Sequence, residues 1–302
     1  FNFAKNLISP ITFDSARLFT CITAGTKDKP TGAFDAAVTT KTNLLLGFWI
    51  SPGERGASLD SILQNEMSAL AKGFQKHGQD LTVLVIGLSI GSEDIYRWDK
   101  NEDGKVGVSA ANVTAAIKKV RDTIASSDFA KYMKGKPIGH VDTAQWAVMD
   151  GADFYGMTAY PYWAKVNIAE ANDSFQSTLE GVKQRANNVP VWVAEMGWPF
   201  DGPAQGDATA SYENLQRYWT EVGCSVVGQY NTFWFELIKD SESDQPDWGM
   251  IDSATHQPRL NLACSGNSTS GSGPTPSSGS SNPSSSSSHL LASQSEPPSA
   301  SS

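Results

Sequence analysis

The sequence predicts an α/β fold, a parallel (β/α)₈ TIM barrel followed by a disordered C-terminal tail. The chain has 302 residues, which suits one barrel of about 250 residues plus an appendage. Short apolar runs alternate with amphipathic segments, the pattern of strands and helices around a parallel sheet. Neither glycine-rich phosphate-binding motif occurs in the sequence, so a barrel is favoured over a nucleotide-binding doubly wound sheet.

Five short apolar runs predict strands that are buried on both faces, because helices cover both sides of a parallel sheet. These runs are Asn43–Trp49, Leu81–Ser89, Asp153–Ala159, Val191–Ala194 and Thr232–Phe235.

Three stretches with apolar residues at helical spacing predict the intervening helices. Their apolar positions are Leu59, Ile62, Leu63, Met67, Leu70 and Phe74; Val113, Ala116, Ile117, Val120 and Ile124; and Tyr212, Leu215, Tyr218, Trp219 and Val222. Ser58 and Ser109 precede the first two stretches as predicted N-caps.

The charge balance excludes several classes of partner. With 23 basic and 32 acidic residues the formal charge is −9, whereas nucleic acid or an anionic membrane surface requires a positive face. No apolar run approaches the roughly 20 residues that span a bilayer, so no transmembrane segment is expected. The sequence begins at Phe1 without an apolar leader, and we expect a mature or truncated form.

Three cysteines suggest one disulfide and one free thiol. Cys224 and Cys264 are the natural pair if the compartment is oxidising. Cys21 lies in the apolar run Ala16–Ile22 and is expected to be a buried, unreactive thiol. Sequons at Asn112, Asn172 and Asn267 are weak support for secretion.

The composition changes abruptly after Cys264. Residues 265–302 are rich in Ser, Pro and Gly and contain one acid, Glu296, and no Lys or Arg. Such a segment cannot bury enough apolar area to offset its ordering entropy. We therefore expect a folded barrel over residues 1–264 and a disordered tail over 265–302, either an O-glycosylated stalk or an unmodified linker.

Two glutamates follow predicted strands, where barrels place their functional groups. Glu93 comes after Leu81–Ser89, and Glu195 directly follows Val191–Ala194. Two carboxyl groups on separate strand ends are what a retaining glycosidase uses, one as acid and one as nucleophile. The alternative is that each caps the next helix. Aromatic residues near strand ends favour the sugar-binding interpretation: Tyr160, Tyr162, Trp163, Trp198 and Trp234.

Metal sites are not favoured. His140 is the one histidine at a predicted strand end, and zinc needs more ligands nearby. The segment 99–104 opens like a calcium-binding loop, but Ala110 and Ala111 stand where its bidentate glutamate is required. A solvated turn is preferred there.

The strand-end motifs resemble those of fungal glycoside hydrolase family 17, the endo-β-1,3-glucanases. They are VIGLSIGSEDIYR (85–97), GHVDT (139–143), AYPY (159–162), PVWVAEMGWP (190–199) and NTFWFE (231–236). They stand in the order of the family and span most of residues 14–264. The resemblance implies a (β/α)₈ barrel that hydrolyses β-1,3-glucan with retention and without a cofactor or metal.

The resemblance also assigns roles to individual residues. Glu93 takes the place of the acid/base and Glu195 that of the nucleophile, while Tyr160 matches a tyrosine beside the nucleophile. Burial and the nucleophile's charge should keep Glu93 protonated. Predicted substrate-binding residues are Tyr160, Tyr162, Trp198, Trp234, Glu236 and Lys239. For Asp94 we favour helix capping, and for Arg97 an ordinary surface ion pair at least as much as a reach across the site.

The N-terminus departs from the family pattern. Only Phe1–Phe3 and residues 4–15 precede the strand that begins near Ala16, which is short for a parallel crossover. The first β/α unit is therefore expected to be incomplete, with Phe3 at the end of its strand where relatives carry a tyrosine. Ile50 replaces a cysteine common in relatives, which supports a free Cys21.

The leading hypothesis is a secreted endo-β-1,3-glucanase of the cell wall or cell surface, acting as a monomer on β-1,3-glucan. Two alternatives stay open. One is a β-1,3-glucanosyltransferase that uses the same glutamates, and the other is a non-catalytic glucan-binding wall protein. A glycolipid anchor would need a hydrophobic signal that residues 297–302 do not supply.

Overall fold

The computed structural model describes residues 1–7, 9, 11–52, 58–100, 107–241, 243 and 245–264. Within them, seven parallel strands form one sheet in the order of the chain. The strands are β1 (Ser15–Arg17), β2 (Asn43–Phe48), β3 (Val85–Ser92), β4 (Ile138–Thr143), β5 (Tyr155–Ala159), β6 (Val191–Met196) and β7 (Thr232–Trp234). The predicted tail, residues 265–302, lies outside the described residues.

Helices lie between the strands. They are α1 (Asn2–Lys5), α2 (Ala33–Thr40), α3 (Leu59–His77), α4 (Gln79–Thr82), α5 (Asp94–Lys100), α6 (Ala110–Ala125), α7 (Ala130–Met133), α8 (Ala171–Ala186), α9 (Tyr212–Tyr218) and α10 (Cys224–Val226). A 3₁₀ turn at Ile168–Glu170 precedes α8, and a π-helical turn at Trp219–Gly223 follows α9. The Ser109 side chain caps α6 by accepting from the Asn112 N–H at 3.4 Å, as predicted.

The sheet curves into a nearly closed barrel. Strand β1 pairs with β2, β7 pairs with β6, and β1 and β7 approach each other to within 8 Å between Cα atoms. The predicted barrel is confirmed, with seven strands in the described part of the chain. We call the junction of β1 and β7 the seam.

The beginning of the chain differs from its prediction. Residues Asn2–Lys5 are helical, so Phe3 does not end a strand; its ring is half exposed and lies 4.6 Å from that of His256. The predicted strand at Leu81 was also wrong in its first half. Leu81 lies in α4, and β3 begins at Val85.

The barrel interior is filled from several strands. Leu45, Val141, Trp192, Ala194 and Phe233 form one buried cluster together with Phe154. The Phe154 and Trp192 rings stack with centroids 4.2 Å apart. This cluster fills the barrel interior with apolar side chains, and the polar groups at the carboxyl ends of the strands pack above it.

The cysteines behave as predicted. Cys224 and Cys264 form a disulfide with Cα atoms 5.5 Å apart, and Cys21 is free and buried. Burial raises the pKa of the Cys21 thiol well above its ordinary value, and the charge of Glu66 adds to this.

Candidate active site

Both predicted catalytic glutamates lie at the carboxyl end of the barrel, each just after an irregularity in its strand. Strand β3 advances three residues from Ser89 to Ser92 while β4 advances two. Strand β6 advances two residues from Val193 to Glu195 while β5 advances one. An extra residue of this kind re-aims the side chains that follow it. Both strands thus change their alternation just before Glu93 and at Glu195.

The backbone at Glu93 is unusual. Glu93 has a left-handed φ of 55°, and Gly91, two residues earlier, has φ 88°. A Cβ atom at Gly91 would lie 2.0 Å from Asp94 Oδ2, so glycine is required there. The Glu93 N–H donates to the Val141 carbonyl at 2.8 Å. These constraints fix the acid at the end of β3 rather than leaving it in a loose loop.

The Glu93 carboxyl is buried, with 7% of the residue exposed. Burial is the main reason that its pKa rises to about 8; the Glu195 charge and then the Asp142 charge add to the rise. The Thr158 hydroxyl, which donates to Glu93 Oε1 at 2.6 Å, and the Arg97 charge act in the opposite direction. Glu93 is therefore protonated at neutral pH, as expected from the sequence.

The Glu195 carboxylate receives two strong donors. The Tyr160 hydroxyl donates to Oε1 at 2.5 Å, and the Arg17 guanidinium forms an ion pair with Oε2. The same guanidinium donates to Ser92 Oγ at 2.7 Å and lies 4.4 Å from the centre of the Phe19 ring. Burial and the Glu195 charge raise the pKa of Tyr160 well above its ordinary value, so its hydroxyl keeps its proton.

The two carboxyl groups have divided environments. Glu93 has one hydroxyl donor and an anionic neighbour, which favours its neutral form, whereas a cation and a phenol surround Glu195. Strand β5 and the residue that follows it support both, because Thr158 donates to Glu93 and Tyr160 to Glu195. A protonated carboxyl beside a bound carboxylate can provide an acid and a nucleophile in one site.

The other predicted aromatic residues pack into the protein. Tyr162 and Trp198 are fully buried; the Tyr162 hydroxyl donates to the Pro203 carbonyl, and Trp198 Nε1 donates to the Thr209 carbonyl at 3.0 Å. Trp234 is partly exposed and contacts two aromatic rings from α9 and the π-helical turn. Tyr162 and Trp198 thus pack against each other and against neighbouring rings, and neither presents an exposed face to a sugar in this structure.

The predicted pair Glu236 and Lys239 lies beyond β7. Glu236 follows a cis peptide bond from Phe235, and its carbonyl accepts from the Met250 N–H at 2.9 Å. Lys239 Nζ lies 3.9 Å from Asp247 Oδ2, and both side chains are largely buried. Their role in sugar binding stays a prediction.

Arg97 and Asp94 form part of a buried network. Asp94 Oδ1 accepts from the Ser51 hydroxyl at 2.6 Å, and Arg97 donates to the Ser51 hydroxyl and to the Ser92 carbonyl. The Arg97 guanidinium also lies 4.8 Å from the centre of the Trp49 ring. Arg97 is therefore an internal support of the site rather than a surface ion pair.

Sequence reasoning missed Arg17 and Thr158. Arg17 stands inside the apolar run Ala16–Ile22, and a charged residue in a buried strand requires an opposite charge. That signal could have identified it. Thr158 offers no comparable signal, because a threonine in a strand is ordinary.

The described residues contain no group of three or more His, Cys, Asp or Glu side chains arranged to hold a metal ion. Residues 101–106 of the predicted solvated turn lie outside the described residues. No described helix is long and apolar enough to cross a membrane.

Comparison with known proteins identifies the family. The profile of the BtgE/BtgC glycoside hydrolase domain matches residues 6–250. A probable glucan endo-1,3-beta-glucosidase, eglC, of Aspergillus fumigatus is 36% identical over 288 residues, covering 89% of this chain and 61% of the relative. A glucan 1,3-beta-glucosidase of Schizosaccharomyces pombe is 27% identical over 239 residues, covering 73% of this chain and 67% of the relative. The chain thus spans about three fifths of the length of the Aspergillus relatives.

Solved structures agree on the fold. An active-site mutant of the Rhizomucor miehei beta-1,3-glucanosyltransferase, in complex with laminaritriose, superposes with a TM-score of 0.66 at 23% identity, covering 83% of this chain and 86% of the other. A beta-1,3-glucanase and allergen of Cryptomeria japonica pollen gives 0.58 at 12% identity, covering 83% and 90%. With the profile and the Aspergillus relatives, the motif resemblance is confirmed: the chain belongs to the BtgE/BtgC glycoside hydrolase domain family.

Proposed function

We propose that this protein is a retaining endo-β-1,3-glucanase, with Glu93 as the acid/base and Glu195 as the nucleophile. The observation that carries the proposal is the divided environment of the two carboxyl groups at the carboxyl end of one barrel. A double displacement needs one group that gives a proton and one that attacks, close together and in opposite protonation states.

Glu93 performs the proton transfers. Its raised pKa, about 8, keeps a proton available at neutral pH for the leaving glycosidic oxygen. When Glu195 becomes esterified to the sugar its negative charge disappears, and the pKa of Glu93 falls because that charge was its second largest cause. Glu93 can then accept a proton from the attacking water.

Glu195 attacks the anomeric carbon through one of its carboxylate oxygens. Tyr160 holds Oε1 and Arg17 holds Oε2, which orients the carboxylate before the substrate arrives. Once the ester forms, one donor stays on its carbonyl oxygen, and the other stabilises the charge that returns to the ester oxygen during hydrolysis. The reaction uses these side chains and water.

The substrate proposal rests on the relatives. Those named above carry the names of enzymes that act on 1,3-β-linked glucan, and the family is a glycoside hydrolase family. The disulfide between Cys224 and Cys264 fits an oxidising compartment. We propose accordingly that the protein is secreted and acts at the cell wall.

The first experiment follows the anomeric proton NMR signals while the full chain acts on soluble β-1,3-glucan. We expect β-anomeric reducing ends to appear before mutarotation, and no signal from Glu195→Gln. Release of α-anomers would contradict retention, and a folded wild-type protein that gives no new signal would leave the glucan-binding alternative. Longer oligosaccharides than the starting material would instead identify the glucanosyltransferase.

A second experiment separates the two roles by azide rescue, with an activated aryl β-laminaribioside as the substrate. The Glu195→Ala variant should give an α-glycosyl azide, because azide attacks from the vacated nucleophile side. The Glu93→Ala variant should give a β-glycosyl azide, because azide attacks the covalent intermediate. The reverse pattern would exchange the roles, and Glu221→Ala, at an exposed position, serves as the control.

A further inference from the structure

A histidine is completely buried behind the acid/base glutamate. His140 lies in β4 with none of its side chain exposed. Its Nδ1 is 2.6 Å from the Ile90 carbonyl oxygen, and its Nε2 is 2.9 Å from Asp142 Oδ2. The motif that contains it has no role in the double displacement described above.

Both ring nitrogens face acceptors. A carbonyl oxygen can only accept, so Nδ1 carries a proton, and an ionised carboxylate opposite Nε2 requires a second proton on the ring. Two backbone N–H groups, of Ile95 and Thr143, donate to the Asp142 oxygens at 2.9 and 2.8 Å, so both oxygens of Asp142 act as acceptors. The contacts therefore describe a buried imidazolium.

The neighbouring charges agree with this assignment. Burial lowers the pKa of His140, but the hydrogen bond and charge of Asp142, the charge of Asp94 and the Ile90 carbonyl together raise it above the ordinary value. Asp94 Oδ2 has no hydrogen-bond partner among the described residues. Burial raises the pKa of Asp94, and the charges of Arg97, on the same helix, and of His140 oppose that rise.

The connection to Glu93 runs through Asp142. The negative charge of Asp142 raises the pKa of Glu93, and His140 is the cation in direct contact with that carboxylate. The other charged groups around Glu93 are Glu195 and Arg97. Removal of the imidazolium would leave Asp142 uncompensated beside a group that already carries one anionic neighbour.

We propose that His140 is a positioning residue, a permanently protonated imidazolium that offsets the charge of Asp142 and so limits how tightly Glu93 holds its proton. The inference rests on the proposed role of Glu93 as acid/base. Too tight a hold would make Glu93 a weak acid toward the leaving oxygen, since proton transfer is most effective near the working pH.

The kinetic test measures the pH dependence of kcat/KM for the full chain. Glutamine at 140 can donate to Asp142 or to Ile90 but carries no charge. His140→Gln should move the alkaline limb upward by about one pH unit, with the acid limb in place. His140→Gln/Asp142→Asn should abolish that upward shift, and His256→Gln, at an exposed position, should leave both limbs unchanged. A lower rate with an unmoved alkaline limb would show a structural role and overturn the proposal.

A second measurement does not depend on activity. The chain has four histidines, and ¹⁵N NMR of the labelled imidazoles distinguishes rings with one proton from rings with two. We expect one ring to keep both protons at pH 8, and His140→Gln to identify it by loss of its signal. If every ring has lost a proton by pH 8, the proposal fails, whatever the activity. Failure of the azide experiments with this signal present would instead overturn the role of Glu93.

Discussion

Two buried glutamates at the carboxyl end of the barrel have different surroundings. Glu66, on α3, accepts from the Thr20 hydroxyl at 2.5 Å and from the N–H groups of Cys21 and Trp49 at 2.9 and 3.0 Å. Burial raises its pKa to about 7 despite these donors. Glu93 receives a side-chain hydrogen bond from Thr158 and has an anionic neighbour.

On the proposed mechanism, the difference between them separates a structural carboxyl group, Glu66, from a reactive one, Glu93. The Glu66 oxygens accept hydrogen bonds from the segments that follow β1 and β2, and so hold these segments to α3. Glu93 faces Glu195, whose own donors hold it in place for a reaction. A perturbed pKa is common to both, so burial alone does not identify a catalytic acid; an adjacent, separately bound carboxylate does.

The sharpest test of this comparison mutates Glu66 in parallel with Glu195, the carboxylate that neighbours Glu93. Glu195→Gln should lower kcat by at least about 10⁴-fold, because the attacking oxygen is replaced by an amide. Glu66→Gln should change kcat by less than about tenfold, because Glu66 is not proposed to touch the substrate. Steady-state hydrolysis of β-1,3-glucan with matched circular dichroism measures both. A Glu66 variant as inactive as the Glu195 variant would remove the distinction.

Arg17→Gln should give the next largest effect. It removes the cation from Glu195 and one donor from Ser92, and we expect kcat to fall by about 10²- to 10³-fold, comparable to the loss of a key electrostatic donor. Arg217→Gln, in an exposed ion pair, is the matched control. An Arg17 variant with normal kcat and a raised KM would assign Arg17 to substrate binding instead.

The stability of the fold should decrease as pH rises through neutrality. Glu66 has a pKa raised above its ordinary 4.5 to about 7, so it favours folding in its protonated form. That contribution to stability is fully present below about pH 4.5. As pH rises from there past 7 it is lost, and the free energy of unfolding falls by on the order of 3 kcal/mol. The rise at Glu93 acts in the same direction.

Urea unfolding at pH 5 and pH 8 measures this loss. Glu66→Gln should reduce the difference between the two free energies of unfolding, whereas exposed Glu180→Gln should not. A wild-type protein that is more stable at pH 8 would show that the donors around Glu66 outweigh its burial.

Thr158→Val should have the smallest effect. The Thr158 hydroxyl lowers the pKa of Glu93, so its removal should shift the alkaline limb of kcat/KM upward by less than about one unit with a change of a few-fold in the maximum. Thr178→Val, on helix α8, controls for the change in side chain. A downward shift would mean that the hydroxyl does not donate to Glu93.

Most of the barrel could be predicted from the sequence, because its strands are continuous apolar runs, as at Asn43–Trp49. It failed where an apolar pattern fits two structures: Leu81 is apolar in helix α4 just as it would be in a strand. The Tyr212–Val222 stripe was predicted as helix but continues after Tyr218 as a π-helical turn, a change that side-chain periodicity does not show.

The candidate site could also be predicted only in part. Glu93 and Glu195 could be found because acids directly after apolar strands are conspicuous, and Tyr160 because a motif contains it; its hydrogen bond to Glu195 agrees with the predicted place beside that residue. The partnership of Arg17 with Glu195 joins β1 to β6, and that of Thr158 with Glu93 joins β5 to the end of β3. Such long-range pairings depend on strand register and bulges, which local sequence does not encode.

The seam between β1 and β7 gives Arg17 a mechanical role as well. Strand β1 is three residues long and pairs with β2 alone, yet its last residue reaches the Ala194 carbonyl and the Glu195 carboxylate on β6. The Arg17 side chain thus ties β1 to β6 across the seam, and the same side chain holds the proposed nucleophile. A force that pulls β1 away from the barrel would act first on the ion pair between Arg17 and Glu195. One contact therefore bears on both the mechanical stability of the barrel and the geometry proposed for catalysis.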